Sequence, residues 1–341
     1  MLGRMQLSST TNQPAKDTPI LITGGGGFIG GWLAKDLLQK GFTDVRSVDV
    51  KPLNEWYQVV PEFDNQILDL QLLNDCRHAV TGRAQIFNLA ADMGGMGFIE
   101  MNKAACMLSS LINTHLLVVA REAEIERFFF SSSACVYNAD KQKDTNVTAL
   151  KEDDAYPAMP EDGYGWEKLF AERMVRHFDE DFGIVGRVAR YHNVYGPHGT
   201  WDGGREKAPA AVSRKVAQAV LSGKHEIEIW GDGEQTRSFT YIEDTLHGTE
   251  LLMWSDVSDP LNIGSNQLVT INELVSIVES IAGVTLERKY NLDAPKGVRG
   301  RNSDNTLVSE KLGWAPHIPL QDGMEKTYSW VYDQVLNGPR S

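Results

Sequence analysis

The sequence predicts an α/β fold whose core is a doubly wound parallel sheet. Three observations support this prediction. A run of glycines lies between a short apolar segment and a segment with helical periodicity. Predicted strands and helices then alternate up to about residue 190, and a Tyr-x-x-x-Lys spacing follows a strand that ends in serines. We expect residues 19–190 and 239–269 to form the sheet domain, residues 191–238 and 270–341 to form a second, smaller α/β domain, and residues 1–18 to form a disordered tail.

The first fifty residues predict a strand, a glycine-rich turn, a helix and a second strand. Pro19–Thr23 is apolar, Gly24–Gly30 has glycines at a spacing of three, and Gly31–Lys40 has helical periodicity. Glycines permit a tight turn, let backbone N–H groups approach a pyrophosphate and let the helix pack against the strand. The pattern therefore predicts a Rossmann dinucleotide site that includes Gly24, Gly27, Phe28, Ile29 and Gly30.

An acidic residue ends the second predicted strand. Asp49, at the end of Val45–Asp49, can accept hydrogen bonds from the adenosine ribose and repels a 2′-phosphate. We therefore expect the cofactor to be NAD. The next predicted strand, Gln66–Leu70, carries Asp69 as a contact for the adenine. The strand predicted within 84–91 places Leu89 beside the cofactor.

Composition limits the classes of protein to which the chain can belong. Of its 341 residues, 42% are hydrophobic and 23% are charged, which is ordinary for a globular protein. The net charge of −13 argues against nucleic-acid binding, and no apolar stretch approaches the ~20 residues that would span a membrane. Three unpatterned cysteines favour a reducing, cytoplasmic setting. Because no cysteines or histidines have metal-ligand spacing, we expect no metal.

The predicted strand 126–133 breaks into hydroxyl side chains before a second motif. Tyr164 and Lys168 lie four residues apart, so they share one face of a predicted helix. A neighbouring ammonium and a bound nicotinamide cation would both favour the phenolate, which would make Tyr164 a base. We expect Lys168 also to hold the nicotinamide ribose, and Ser133 to hydrogen-bond the same substrate hydroxyl.

Together these motifs resemble those of extended short-chain dehydrogenase/reductases. The resemblance rests on TGGGGFIG, Asp49, FSSSACVY, YGWEK and RYHNVYGP, and it extends from Pro19 to about Val335. It implies that a hydride leaves C4 of a nucleotide sugar while the tyrosine takes the hydroxyl proton, which acidifies the protons on C3 and C5. It also implies a homodimer formed by two helices per subunit, here 102–123 and 164–181.

Residues 134 and 135 bear on the reaction that follows. The related 4,6-dehydratases carry Asp and Glu after the catalytic Ser or Thr, whereas this chain has Ala134 and Cys135. Dehydration would therefore lack both its acid and its base. A 4-epimerase needs no additional base. Cys135 is accordingly either a small buried hydrophobic residue or an acid or base at C3 or C5.

Four longer blocks resemble those of the GDP-mannose 3,5-epimerase family. They comprise residues 92–98, 199–211, 230–239 and 297–304. In that family the Cys of SSAC and the Lys of REKAPAA exchange protons on opposite faces of the sugar, and they correspond to Cys135 and Lys207. Two groups are needed because inversion removes a proton from one face and delivers one to the other. Lys207 should have a lowered pKa near other cations; alternatively, it contacts a phosphate.

The resemblance also implies a GDP-sugar site between the two domains. Gly94 would leave room for the sugar, Asn193 and Glu206 would hydrogen-bond it, and the diphosphate would be held by Lys215, Gln235, Arg237 and Arg299. The main prediction is epimerisation of GDP-mannose at C3 and C5 to GDP-L-galactose, with GDP-L-gulose as a possible second product. Two alternatives stay open: a 4-epimerase or another sugar-modifying enzyme of the same class, and a non-catalytic NAD-sensing protein.

Overall fold

The computed structural model describes residues 13–295 and 297–338 and contains alternating strands and helices. Its strands are β1 Ile20–Thr23, β2 Val45–Asp49, β3 Asp64–Ile67, β4 Gln85–Asn88, β5 Arg127–Ser133, β6 Val185–Tyr191, β7 Val194–Tyr195, β8 Glu226–Trp230, β9 Thr236–Ser238, β10 Thr240–Tyr241, β11 Leu261–Ile263, β12 Leu268–Thr270, β13 Glu287–Asn291 and β14 Gly300–Arg301. Its α-helices are α1 Phe28–Gln39, α2 Leu73–Val80, α3 Met96–Met101, α4 Lys103–Met107, α5 Ser109–Glu122, α6 Asp162–Phe182, α7 Ala208–Ser222, α8 Ile242–Met253, α9 Ile271–Ala282, α10 Thr306–Leu312 and α11 Leu320–Asn337.

Seven of these strands form one parallel sheet. Their order is β11-β6-β5-β4-β1-β2-β3, and each neighbouring pair is parallel. The predicted doubly wound sheet is thus confirmed. Because the order of connection reverses between β1 and β4, a crevice opens beyond the carboxyl ends of these strands, where ligands bind in such sheets. The glycine-rich turn follows β1 at this edge, and Ser133 ends β5 at the same edge.

Alternation along the strands gives the sheet two buried faces. Ile20 and Ile22 of β1 belong to one hydrophobic cluster, while Leu21 belongs to the other. In β5, Phe129 packs on the first face, and Phe128 and Phe130 pack on the second. Full burial of each such side chain contributes about 1.5–3 kcal/mol. The sheet is therefore a rigid platform for the residues at its carboxyl edge.

Smaller sheets and three packed helices lie beyond β6. The strands β12, β9 and β14 form a three-stranded sheet, and β13 pairs with β8. The helices α7, α9 and α11 pack against one another. Between these elements, β11 returns to the large sheet beside β6.

Several boundaries differ from those expected. The strand β3 ends at Ile67, so Asp69 lies in the loop after it. The predicted helix 102–123 is divided into α4 and α5 at Leu108. Residues 1–12 of the predicted tail lie outside the described residues. Residues 15–18 form a turn, and the Lys16 ammonium lies 4.2 Å from the centre of the Phe42 ring.

The segment Lys103–Glu122 is long and apolar enough, by composition alone, to cross a membrane. It comprises α4 and α5, which pack against α6, and α5 also packs against α2. Leu116, Leu117 and Ala120 are fully buried against the sheet domain. The segment therefore serves as a core element of the folded domain, while Leu108 and Leu111 remain exposed on its outer side.

Candidate active site

The glycine-rich turn has the geometry of a phosphate cradle. Gly24 has a φ of +72°, which favours glycine, and a Cβ on Gly30 would lie 2.2 Å from the Gly24 carbonyl oxygen. Gly27 precedes α1 and provides no side-chain cap. Backbone N–H groups at the start of a helix attract anions, so this turn fits a pyrophosphate. Asp49 braces the turn, because its Oδ2 accepts a hydrogen bond from Gly26 N–H at 3.0 Å.

A cavity of about 640 Å³ extends from this turn along the carboxyl edge of the sheet. We call it the larger cavity. All the cofactor residues predicted from the sequence line it: Gly24, Gly27, Phe28, Ile29, Gly30, Asp49, Asp69, Leu89, Tyr164 and Lys168. A large cavity that begins at a glycine cradle and ends at a tyrosine-lysine pair fits a dinucleotide.

A second cavity, of about 230 Å³, adjoins the first, and we call it the smaller cavity. Ser133, Tyr164 and Lys207 line both cavities. Lys168 lines only the larger cavity and Cys135 only the smaller one. The predicted catalytic residues thus lie where the two cavities meet, or on either side of that junction.

The tyrosine and lysine are buried together on α6. Lys168 Nζ lies 5.6 Å from the centre of the Tyr164 ring and 4.7 Å from the centre of the Phe130 ring. Burial raises the pKa of the Tyr164 phenol, which a hydrogen bond with Ser133 partly offsets. Burial also lowers the pKa of the Lys168 ammonium. In the protein alone the phenol therefore stays protonated, and formation of the phenolate depends on the additional positive charge of a bound nicotinamide.

A buried ion pair fixes the strand and helix that carry these residues. Arg190 on β6 donates two hydrogen bonds to the Glu172 carboxylate on α6, at 2.9 and 2.7 Å. Ser132 of β5 donates its hydroxyl to the same carboxylate. Because the three elements meet at one carboxylate, Ser133 and Tyr164 are held in a fixed relation.

Cys135 is buried and Lys207 is half-buried, and the charge of Arg301 acts on both. Burial raises the pKa of the Cys135 thiol, although the Arg301 guanidinium opposes this. Burial lowers the pKa of the Lys207 ammonium, and Arg301 lowers it further. The expected lowering for Lys207 thus has burial as its main cause. Burial favours the uncharged form of each group, which is the thiol for Cys135 and the neutral amine for Lys207.

Arg301 is a site residue that the sequence analysis did not select. Its Nη1 lies 3.5 Å from Cys135 Sγ, and its Nη2 donates to Glu161 at 2.6 Å. Its Nε donates to Gln142 at 2.7 Å, and the side chain is almost completely buried. Its place in the run GVRGRNSD was the available signal, but that run also contains Arg299.

Most of the predicted substrate residues line the smaller cavity, namely Gly94, Ser133, Asn193, Glu206, Lys207, Lys215, Gln235 and Arg237. Arg299 lines neither cavity. Its guanidinium pairs with Asp232 at 2.9 and 3.0 Å and is partly exposed. Arg301 of β14, which pairs with Arg237 of β9, lines the smaller cavity instead.

Several of these residues already have protein partners. Glu206 pairs with Arg214 at 2.7 Å. Lys215 donates to the Glu228 carbonyl at 2.9 Å, and its Nζ lies 5.6 Å from the centre of the Trp230 ring. These contacts fix the side chains in position around the cavity before a ligand is present.

The fold and the site together define a dinucleotide-dependent enzyme of the extended short-chain dehydrogenase/reductase class. Residues 20–264 match the NAD-dependent epimerase/dehydratase family. The chain belongs to this family, and its cofactor is NAD.

Individual relatives and solved structures show which members of the family this chain resembles. It is 46% identical to GDP-mannose 3,5-epimerase 1 of Oryza sativa subsp. japonica, over 94% of this chain and 84% of that protein. It is 44% identical to GDP-mannose 3,5-epimerase of Arabidopsis thaliana, with the same coverage. UDP-glucose 4-epimerase of Thermotoga maritima shares the fold, with a TM-score of 0.83 and 24% identity over 93% of this chain and 100% of that one. MoeE5, solved with UDP-glucose and NAD, has a TM-score of 0.76 and 27% identity over 93% and 99%.

Proposed function

We propose that this enzyme epimerises GDP-mannose at C3 and C5 to give GDP-L-galactose, with GDP-L-gulose as the product of inversion at C5 alone. The observation that carries the proposal is the junction of the two cavities. Ser133 and Tyr164 line it together with Lys207, and Cys135 lies on its smaller-cavity side. The names of the two plant relatives supply the substrate.

Each residue at the junction has a role in the proposed reaction. Bound NAD supplies a reversible acceptor for the hydrogen on C4. Tyr164 takes the proton of the C4 hydroxyl, and Ser133 holds that hydroxyl by a hydrogen bond. Lys168 provides the positive charge that favours the phenolate and orients the nicotinamide ribose.

Cys135 and Lys207 perform the inversion. Once C4 is a ketone, the protons on C3 and C5 are acidic enough for a side chain to remove. One of the two groups removes a proton from a ring face, and the other delivers a proton to the opposite face. Returning the hydrogen to C4 and the proton to its hydroxyl then completes the cycle with no net oxidation.

Isotope exchange tests this proposal directly. We expect GDP-mannose incubated with the enzyme and NAD in heavy water to acquire deuterium at both C3 and C5, as read by NMR. Replacing Cys135 or Lys207 by Ala should abolish the exchange. Cys106→Ala is the matched control, because Cys106 is buried in the same cluster and does not line either cavity.

Other outcomes would assign a different function. Inversion at C4 with no deuterium at C3 or C5 would identify a 4-epimerase. A protein that binds NAD and GDP-mannose equally well before and after Tyr164→Phe, and never turns over the sugar, would be a sensor. Either result would overturn the 3,5-epimerase proposal.

We also propose that the enzyme is a homodimer formed through α4, α5 and α6. These helices are neighbours, and their outer surface exposes Met107, Leu108, Leu111, Trp166 and Phe170. Large apolar patches of this kind mark interfaces. The expected assembly is a four-helix bundle with two long helices from each subunit.

Sedimentation of a charged variant tests the dimer. Phe170→Glu, which puts a charge on the apolar surface, should give a monomer. Leu336→Glu is the matched control, because Leu336 on α11 is equally exposed, at 56% against 55% for Phe170. A Phe170→Glu variant that sediments as the parent does would overturn this part of the proposal.

We further propose that the enzyme acts in the cytoplasm. All three cysteines, Cys76, Cys106 and Cys135, are free and buried. A reducing compartment would keep Cys135 available for proton exchange. Fractionation of cells that express the enzyme, followed by immunodetection, is the corresponding test.

A further inference from the structure

Glu161 connects the loop that carries Cys135 to the helix that carries Tyr164. It immediately precedes α6. Its N–H donates to the Cys135 carbonyl at 3.0 Å, and its own carbonyl accepts from Gly165 N–H at 2.9 Å. Its carboxylate is 9% exposed and pairs with Arg301 at 2.6 Å. Both the backbone and the side chain of Glu161 are therefore fixed beside the thiol.

The surroundings of Cys135 are strongly cationic. Arg301 approaches from β14 and Arg237 from β9, Lys207 precedes α7, and Lys168 comes from α6; the charge of each interacts with Cys135. Such surroundings favour a thiolate. Burial opposes this effect, because it disfavours the charged thiolate and so raises the pKa of the thiol.

Among the residues that the structure describes, the other groups near the thiol carry no positive charge. They are Ser133, whose hydroxyl accepts Cys135 N–H at 3.2 Å, Tyr164, whose phenol burial keeps protonated, and Cys106 in the same cluster. His192, which faces Arg301, has its pKa lowered to about 3 by burial and is neutral near pH 7.

Glu161 is the carboxylate that opposes this set of cations at Cys135. Burial raises the pKa of Glu161, but Arg301, Arg237 and a hydrogen bond with Cys135 together lower it below its ordinary value, so the carboxyl is ionised. The nearest cation to the thiol is thus already neutralised by a carboxylate. For Cys135, burial and Glu161 raise the pKa while Arg301 lowers it.

We propose that Glu161 is a positioning residue for Cys135: by holding the Arg301 guanidinium, it keeps the thiol protonated in the free enzyme and sets how much thiolate is available for exchange with the sugar. The inference rests on the proposed function, in which Cys135 exchanges a proton at one face of the ring. It concerns the state of the thiol before substrate binds, and it can be tested without turnover.

Ultraviolet absorbance of the thiolate measures this state. We would titrate the parent and Glu161→Gln enzymes without sugar. For each, the absorbance of a matched protein that also carries Cys135→Ser is subtracted, so that only Cys135 contributes to the difference in absorbance. Glu161→Gln leaves the Arg301 charge facing the thiol. The pKa of Cys135 should therefore fall by about one to three units.

Two further variants constrain the interpretation. Arg301→Gln should shift the Cys135 pKa upward from the parent value. Glu152→Gln is the matched control, because Glu152 is a partly buried carboxylate that accepts a hydrogen bond from Asn262 N–H at 2.9 Å. It should leave the thiol titration unchanged.

Deuterium exchange in heavy water provides the second readout. In Glu161→Gln, the limb of the pH profile that depends on Cys135 should move to lower pH by the same amount as the pKa in the thiol titration. A merely structural role of Glu161 would not produce this parallel shift. A thiol titration that is identical in the parent and Glu161→Gln would overturn the inference. So would a parent Cys135 that titrates below the ordinary value of about 8.5, and this measurement needs no folded variant. Absence of exchange at C3 and C5 together with a shifted titration would instead refute the proposed function alone.

Discussion

Glu167 provides a direct test of how the enzyme sets the pKa of Lys168. Its side chain is fully buried beside Lys168, with 3.9 Å between Oε2 and Nζ. Its Oε1 accepts a hydrogen bond from Asn113 on α5. Within the part of the chain that the structure describes, its Oε2 has no hydrogen-bond partner. This geometry is that of an internal counter-ion, and Glu167→Gln removes its charge while keeping its shape.

The size of the effect follows from the distance. Two unit charges 3.9 Å apart attract by about 4 kcal/mol at an effective dielectric constant of ~20. That energy corresponds to about 3 pKa units. Burial already lowers the pKa of Lys168, and Glu167 opposes this lowering. Loss of the carboxylate should therefore lower the pKa of Lys168 further.

The pH profile of kcat is the appropriate assay. In the proposed mechanism the active form has Lys168 protonated beside the Tyr164 phenolate, so activity should be lost as the pH rises through the lysine pKa. In Glu167→Gln this alkaline limb should move down by up to about 3 units. The matched control is Glu180→Gln, the same change at an exposed position of the same helix.

Two outcomes separate the possible explanations. Burial raises the pKa of Glu167, and Lys168 lowers it. If the alkaline limb of Glu167→Gln coincided with that of the parent, Glu167 would be neutral in the working enzyme and the counter-ion argument would be refuted. If the activity also fell equally at every pH, the variant would have a packing defect as well, and the unchanged limb would still refute the counter-ion argument.

Three other predictions concern the cofactor site and stability. In Gly30→Ala the new Cβ would lie 2.2 Å from the Gly24 carbonyl oxygen, so the turn must open; NAD affinity measured by calorimetry should fall about tenfold or more. Asp49→Asn loses an acceptor for the ribose and the charge that repels a 2′-phosphate. NAD should therefore bind about ten- to a hundredfold more weakly, while binding of NADP improves. An unchanged preference for NAD over NADP would contradict this assignment. His192 has a pKa of about 3 in the folded state and about 6.5 when unfolded. Because the unfolded chain binds the additional proton, stability should fall as the pH drops below about 6.5, by about 2 kcal/mol at pH ~5, and urea unfolding of His192→Asn should lack this slope.

Local spacing accounts for the parts of the site that the sequence predicts. The glycines of the turn and the pair Tyr164 and Lys168 act within one turn or one helix, where periodicity fixes the geometry. The doubly wound sheet follows from the alternation of strands and helices. These features need no knowledge of contacts between distant segments.

Long-range register accounts for the parts that the sequence did not predict. Arg299 and Arg301 have the same chemistry and lie two residues apart, yet Arg301 pairs with β9 and lines the smaller cavity while Arg299 pairs with Asp232. The importance of Glu161 depends on a partner 140 residues further along the chain. Neither relation has a local signal.

The arrangement of the acid and base groups explains how one fold can support this particular reaction. Ser133 ends β5, Tyr164 lies in the first turn of α6, and Lys207 immediately precedes α7. Each functional side chain thus lies at an end of a rigid element, where packing fixes its direction. The oxidation at C4 needs only the elements that other members of the family share, since the fold does not by itself determine the reaction. In the reaction proposed above, Cys135 and Lys207, which both line the smaller cavity, add the inversion at C3 and C5. It follows that replacing these two residues should leave oxidation at C4 intact and remove the inversions, because Ser133, Tyr164 and Lys168 are unchanged.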